Sequence, residues 1–246
     1  MSNDISAFAN VIISELEALG DPKRAEGEAK YFKETINCLG TGLPKLQALE
    51  KRLCKGLEKT WSVDDAMHLC DVLLNQRIFE VTLFAFTFLV KFADRLGENE
   101  LLQCEKWLAD DLCDNWAATD HLCPHVVGLI LKNHPHLAAR VRTWADSENR
   151  WLKRASAVTF ILLLRKGMFL DVAYNIAETL FSDKQNDLVQ KGNGWMLREA
   201  GSTDPDRLEK FLLTHGPNIP RTTLRYAIEK YSKEKHSELL LKTKQR

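Results

Sequence analysis

"NDLVQKGNGWMLREAGSTDPDRLEKFLLTHG", residues 186–216, reads as two helices around one break at Gly201–Pro205. Apolar residues recur three and four apart on both sides of that break, the spacing of a helix face that packs against neighbours. The pattern repeats upstream. Long helices begin near Cys113, Ser147 and Asn186, at offsets of 34 and 39 residues. Each is followed by a shorter helix: "HPHLAARVRTWA", "MFLDVAYNIAETLF" and "DPDRLEKFLLTHG". Helix pairs recurring at roughly 30 to 47 residues mark an α-solenoid, whose inner helices line a concave surface suited to an extended partner.

The front half is helical by the same criterion. "ISAFANVIISELEALG", "PKRAEGEAKYFKETINCLG", "LPKLQALEKRLCKGLEKTW" and "VDDAMHLCDVLLNQ" show helical spacing, and two of them end at glycine. "IFEVTLFAFTFLVKFADRLG" is rich in aromatic residues, but its length and terminal glycine favour a buried helix. The predicted fold class is all-α, an α-solenoid forming one domain over residues 1–246.

Charge is informative only by halves. Lys plus Arg equals Asp plus Glu at 34 each, yet residues 1–110 hold 13 basic and 18 acidic side chains and the remainder 21 and 16. That split fits an anionic ligand held by the back half, and equally a plain solvated surface. No run approaches the ~18 apolar residues of a membrane span. The start lacks the basic region of a signal peptide, and six cysteines show no CxxC pair. The expectation is a cytoplasmic protein with reduced thiols and no membrane partner.

Three pairs stand on the long helices. Trp116 and Asp120 are four apart, Arg150 and Arg154 four apart, Trp195 and Arg198 three apart, so each pair shares a helix face. Singly, each has an ordinary reading as core or solvated surface. Together they place a carboxylate and several arginines at repeat spacing, which a packing core does not need. Gly192 and Gly194 are expected to thin the helix so that a bulky ligand can approach Trp195 and Arg198, with close helix packing as the simpler alternative.

In this order and at these intervals, the segments resemble the HEAT-like-repeat alkylpurine DNA glycosylases, the AlkD family. "NWAATDHLC" carries the family's tryptophan and aspartate as Trp116 and Asp120, followed by Pro124 and Gly128. "SENRWLKR" matches the segment whose arginine contacts DNA, here Arg154, and "VQKGNGWMLRE" supplies Lys191, Trp195 and Arg198. "AEGEAKYFKETINCLGTGLP" resembles the N-terminal element and puts its active-site tyrosine at Tyr31. The resemblance runs from about residue 5 to 235. It implies a HEAT-like solenoid with a concave DNA-binding groove, acting without cofactor or metal on double-stranded DNA that contains alkylated bases. It also implies that the lesion is reached without a pocket that swallows a flipped base. After Pro44 the family usually continues with arginine where this chain has Lys45, so a phosphate contact there is expected to be lost or moved to Lys45.

The residue types suit that chemistry. A purine methylated at N3 or N7 is cationic and departs readily, leaving a sugar with oxocarbenium character. Asp120 is the expected catalytic group, stabilising that cation and orienting water. Trp116 and Trp195, with Tyr31, are expected to flank the lesion nucleotide. Arg154, Arg198, Arg150, Lys191 and Lys45 are expected to hold the DNA backbone. No motif nominates a lysine nucleophile, so the expected enzyme is a monofunctional glycosylase. It is expected to be a monomer, cytoplasmic and nucleoid-associated when bound to DNA. Two rivals are weighed. "DHLCPH" offers His121, Cys123 and His125 to a metal, but lacks a second ligand cluster. A catalytically inactive HEAT-repeat protein binding DNA or a protein partner is the alternative function, and the intact Asp120 argues against it.

Overall fold

The structure, a computed structural model, describes residues 2–244, with side chains from Asp4 to Lys244. Among the described residues there are helices, turns and no strand, as the all-α reading requires. No helix among them is long and apolar enough to cross a membrane. The internal contacts divide the chain into two compact units, Met1–Leu122 and Cys123–Arg246.

The first unit holds α1 (Ser2–Ala18), α2 (Pro22–Ala29), α3 (Leu43–Leu53), α4 (Leu57–Thr60), α5 (Val63–Leu74), α6 (Phe79–Leu89), α7 (Glu98–Ala109) and α8 (Trp116–Leu122). Short polar side chains set where these helices begin. Asp21 accepts from the N–H groups of Lys23 and Arg24 beside Pro22 at the start of α2. Ser62 and Asp65 form a capping box on α5, and Asn115 accepts from the Ala118 N–H at 2.9 Å on α8. α3, α6 and α8 pack in one row, while α1 and α5 close over α6. That enclosure is why "FEVTLFAFTFL" is apolar all round, with Phe84, Phe86 and Phe88 fully buried.

Residues 30–42 depart from the sequence reading, which predicts helix as far as Gly40. The helix ends at Ala29 instead. Glu80, at 2 % exposure, lies at the start of α6. Its carboxylate accepts from the N–H groups of Leu39 (2.8 Å), Gly40 (2.6 Å) and Thr41 (3.2 Å). Three successive amides converging on one carboxylate require a curled backbone, not a helix. Gly40 supplies the turn with φ of 74°, and a Cβ there would sit 2.6 Å from the Ala25 backbone nitrogen. The predicted helix from Leu43 to Trp61 is likewise broken, at Gly56 in the left-handed region.

The second unit opens with a π-helical turn, Cys123–Val127, around Pro124, which has no N–H to continue an α-helical ladder. It continues with α9 (Gly128–Asn133), α10 (Ala138–Thr143), α11 (Arg150–Val158), α12 (Ile161–Leu164), α13 (Leu170–Leu180), α14 (Asp187–Thr203), α15 (Pro205–His215), α16 (Arg221–Ala227) and α17 (Lys233–Lys242). Asn149, Asn186 and Asp204 cap α11, α14 and α15. α11, α14 and α16 pack consecutively as one row, and α13 and α15 pack on that row as a second. This is the helical repeat the periodicity predicts.

The glycines of α14 belong to that packing. A Cβ on Gly194 would lie 2.6 Å from the Thr223 carbonyl oxygen and 3.1 Å from its Cα. One on Gly192 would meet Val158 at 3.3 Å and Arg154 at 3.4 Å. Both therefore face neighbouring helices, and the expectation that they thin a ligand-binding face is overturned. α14 runs to Thr203, so the expected break at Gly201–Pro205 falls at Asp204, with Leu208 packed where a Gly201 side chain would stand.

Gly194→Ala is expected to cost about 1–3 kcal/mol through overpacking of α14 on α16. Gly27→Ala on α2, where a Cβ meets nothing within 4 Å, is expected to gain up to about 1 kcal/mol. Urea midpoints of the two variants check both signs.

Candidate active site

In the first unit, α8 presents Trp116 and Asp120 on one face, both half-buried. They line a cleft of about 330 Å³ together with Arg24 and Glu28 of α2, Phe79 and Glu80 of α6, and His121. One face of the Trp116 ring is occupied by Phe32, stacked at 5.3 Å between centroids and 20° between planes. Phe79 meets Phe32 edge-on at 5.4 Å. The curled segment 30–42 thus reaches the tryptophan and fixes its plane.

The cleft is rich in carboxylates, and Glu80 is held in place by its three backbone donors. Cys38 donates from Sγ to Glu80 at 3.3 Å and Glu28 at 3.4 Å. Burial first, and the Glu80 charge second, push its thiol up to about 12, so it is a proton donor and not a nucleophile. Glu28 also takes the Arg24 Nε–H at 2.6 Å. Glu28, Cys38 and Glu80 bring possible ligand atoms within 4.8 Å of one another. These atoms are already engaged by a protonated thiol, backbone amides and a guanidinium, which does not suit a cation site. The Thr87 hydroxyl donates to the Leu83 carbonyl at 2.8 Å. The same hydroxyl lies 3.0 Å from His121 Nε2.

Of the other first-unit candidates, Tyr31 is 78 % exposed in the segment beside Phe32. Lys45 is exposed on α3, its Nζ 3.5 Å from the Leu19 carbonyl. Neither lines the cleft with Trp116 and Asp120. Arg24, Phe32 and Glu80 do shape it and were not nominated from sequence.

In the second unit, α14 is enclosed except for one stripe. Lys191, Trp195 and Arg198, at i, i+4 and i+7, are half-exposed, while Gln190, Asn193 and Glu199 are buried. Lys191 pairs with Asp187 at 2.8 Å. Arg198 pairs with Glu229 on its outer side and reaches Glu199 at 3.4 Å. The Trp195 indole N–H is buried without an acceptor among the described residues. Arg150 is exposed, its guanidinium 4.4 Å over the Trp151 ring. Arg154 differs from these cations. It is 5 % exposed, lies against Gly192, and donates to the Leu188 carbonyl. It joins α11 to α14.

The remaining polar residues of that segment stitch the rows together. Gln190 donates to the Leu180 and Asp183 carbonyls at 2.7 and 2.8 Å, and its Oε1 accepts from Thr223 at 2.5 Å. Asn193 donates to the Ala177 carbonyl at 3.1 Å. Glu199, 2 % exposed, takes Arg165 at 2.9 Å and Lys230 at 3.3 Å. Burial alone would raise its pKa, but the hydrogen bonds and charges of Arg165 and Lys230 prevail and hold it below its ordinary 4.5.

An all-α helical repeat carrying these segments defines a class that comparison with known proteins makes specific. The family described as DNA alkylation repair enzyme matches residues 12–231, and the chain belongs to that family. Among solved structures it is similar to a predicted DNA alkylation repair enzyme from Enterococcus faecalis. The TM-score is 0.75 at 18 % identity, over 87 % of this chain and 97 % of that one. No curated protein sequence matches it. The family places the chain among enzymes of DNA repair.

Because the folded pKa of Glu199 is depressed, its contribution is fully present above the unfolded value near 4.5 and is lost as pH falls through the folded value. Glu199→Gln is expected to cost about 2 kcal/mol at neutral pH, the scale of a hydrogen bond to a charged group. It should also flatten the acid limb of stability below pH 4.5. Urea unfolding across pH 3 to 7, with the variant beside the native chain, checks this.

Proposed function

We propose that the chain is a monofunctional DNA glycosylase that excises cationic alkylated purines, of the 3-methyladenine and 7-methylguanine type, from duplex DNA. The observation that carries this reading is the meeting of the Trp116 ring and the Asp120 carboxylate in one cleft. Such a cleft favours a cation over a neutral group.

The bond between C1′ and the base nitrogen breaks with its electron pair leaving on the base, which neutralises the base's positive charge. The sugar gains oxocarbenium character, and water adds at C1′ while releasing a proton. Asp120 is assigned to stabilise the sugar cation and take that proton. Trp116, its plane fixed by Phe32, is assigned to the cationic base or the sugar C–H edge. Tyr31 is assigned to the nucleotide from the same segment as Phe32. Trp195, Lys191, Arg198 and Arg150 are assigned to the DNA, with Lys45 a weaker phosphate contact. Arg154, engaged between α11 and α14, is assigned to positioning that surface. No lysine is assigned as nucleophile. The reading takes residues 1–246 as one array of HEAT-like repeats with a concave DNA-binding groove, a monomer acting in the cytoplasm and on the nucleoid.

A duplex carrying one 7-methylguanine, incubated with the protein and then cleaved at abasic sites by alkali, tests the activity. Asp120→Asn should fold and bind DNA as before but excise roughly 10²–10³-fold more slowly, the usual loss for one preorganised electrostatic group. Uncut DNA with the unaltered protein would return the chain to the reading of an inactive binder.

Substrate charge gives a second check. A neutral base such as uracil gains neither the cation–π contact nor the carboxylate attraction, together about 3 kcal/mol, or roughly 10²-fold in rate. Single-turnover rates on the two duplexes should differ by at least that factor. Equal rates would mean that the cleft reads shape and not charge.

A further inference from the structure

A second cleft, of about 390 Å³, lies where the turn before α14, the start of α16 and the end of α17 meet. Lys184, Arg221 and Lys244 line it with Thr222 and Thr243, and among the described residues no carboxylate does. The three cations come from three separate segments of chain, so the fold itself assembles them. Arg221 is oriented by donating to the Thr243 hydroxyl at 3.3 Å and the Leu240 carbonyl at 3.2 Å. Among the described residues, neither Lys184 nor Lys244 has a partner for its ammonium group.

The carboxylates nearby do not cancel this charge. Asp183 is paired with Lys153 at 3.3 Å, and Asp187 with Lys191 at 2.8 Å. Arg225, one turn along α16, adds to the excess; burial and this second guanidinium both lower the pKa of Arg221. Concave positive charge from one guanidinium and two ammonium groups is chemistry that recognises phosphate; the Thr222 and Thr243 hydroxyls are already turned to Asp187 and the Leu239 carbonyl. A contact of 3.5 Å between Thr222 and Asp187 joins the cleft to the α14 stripe that carries Lys191, Trp195 and Arg198.

We propose that this cleft is a phosphate-binding site that takes a phosphodiester of the DNA backbone away from the nucleotide being cut. The proposal rests on the reading of DNA as partner. It adds an anchor that lengthens the footprint of the second unit and takes no part in bond cleavage.

The double variant Lys184→Ala/Lys244→Ala removes two cations and leaves the hydrogen bonds of Arg221 in place. Binding of an undamaged duplex is measured by fluorescence anisotropy across a salt series, with a thermal midpoint to verify folding. The log–log slope should fall in magnitude by about 0.9 for each phosphate that is no longer neutralised, while the single-turnover excision rate at saturating protein stays unchanged. An unchanged slope, with the native chain binding duplex normally, overturns the anchor and leaves the proposed function standing. A second arm titrates inorganic phosphate alone and follows the amide signals of Thr222 and Thr243. If phosphate shifts them in the native chain but the duplex slope does not change, the site serves a free phosphate and the backbone assignment is overturned. Failure of the native chain to bind any duplex overturns both readings, and is seen before the variant is compared.

Discussion

A helix enclosed on most sides by other helices has one stripe left for chemistry, and α14 is built around that constraint. It packs between α11 and α16 and carries α13 and α15 on its back. Approach this close is possible because Gly192 and Gly194 put no side chain into the two seams. The polar residues that face inward bond to neighbouring segments: Gln190 with Thr223, the Asn193 amide N–H with the Ala177 carbonyl of α13, and Glu199 with its cations. An unsatisfied buried polar group costs about 1–3 kcal/mol, so each of these partners holds the repeat in register. What is left over is Lys191, Trp195 and Arg198. The same ten residues therefore encode the packing and the exposed surface, on opposite sides of one helix.

In the first unit a buried carboxylate plays the corresponding part. Glu80 gathers three backbone amides, and so pulls residues 30–42 out of helix and across the row formed by α3, α6 and α8. Phe32 then lands on the Trp116 ring. A tryptophan held between a fixed aromatic and an open cleft offers one face only, so a ligand meets it in one orientation. With Asp120 one helical turn away, that face and the carboxylate act from a common rigid element, which is what electrostatic preorganisation asks of a scaffold.

The legible part of this arrangement was local. Asn and Asp caps, the 3.6-residue spacing and the recurrence of helix pairs gave the all-α repeat, and Trp116 with Asp120 were legible as a pair because four residues on a helix is a fixed geometry. The rest depends on partners far along the chain. The amide of Gly40 bonds a side chain 40 residues away, so nothing near Tyr31 or Phe32 announces a break in the helix. Arg154 reads as an exposed arginine until Gly192, on another helix, is seen to make room for it. Gly194 looks like a device for ligand approach because its spacing matches Trp195, whereas the neighbour that needs the space is Thr223.

The neutrality of the whole chain acquires a physical meaning from these pairs. On the open stripe of α14, Lys191 and Arg198 are each matched with a carboxylate at the surface, Asp187 and Glu229. Exposed pairs of this kind contribute only about 0–1 kcal/mol to the fold, so a phosphate can take over the cation with little loss. The displaced carboxylate remains nearby and repels the same phosphate. Each such contact then adds less to affinity than an unpaired lysine or arginine would. If this stripe meets DNA as proposed, it is expected to bind any duplex weakly and in a salt-dependent way. Under the proposed function, discrimination between damaged and undamaged DNA falls to the cleft around Trp116 and Asp120, where a carboxylate and an aromatic face favour the one feature that sets an alkylated purine apart, its positive charge.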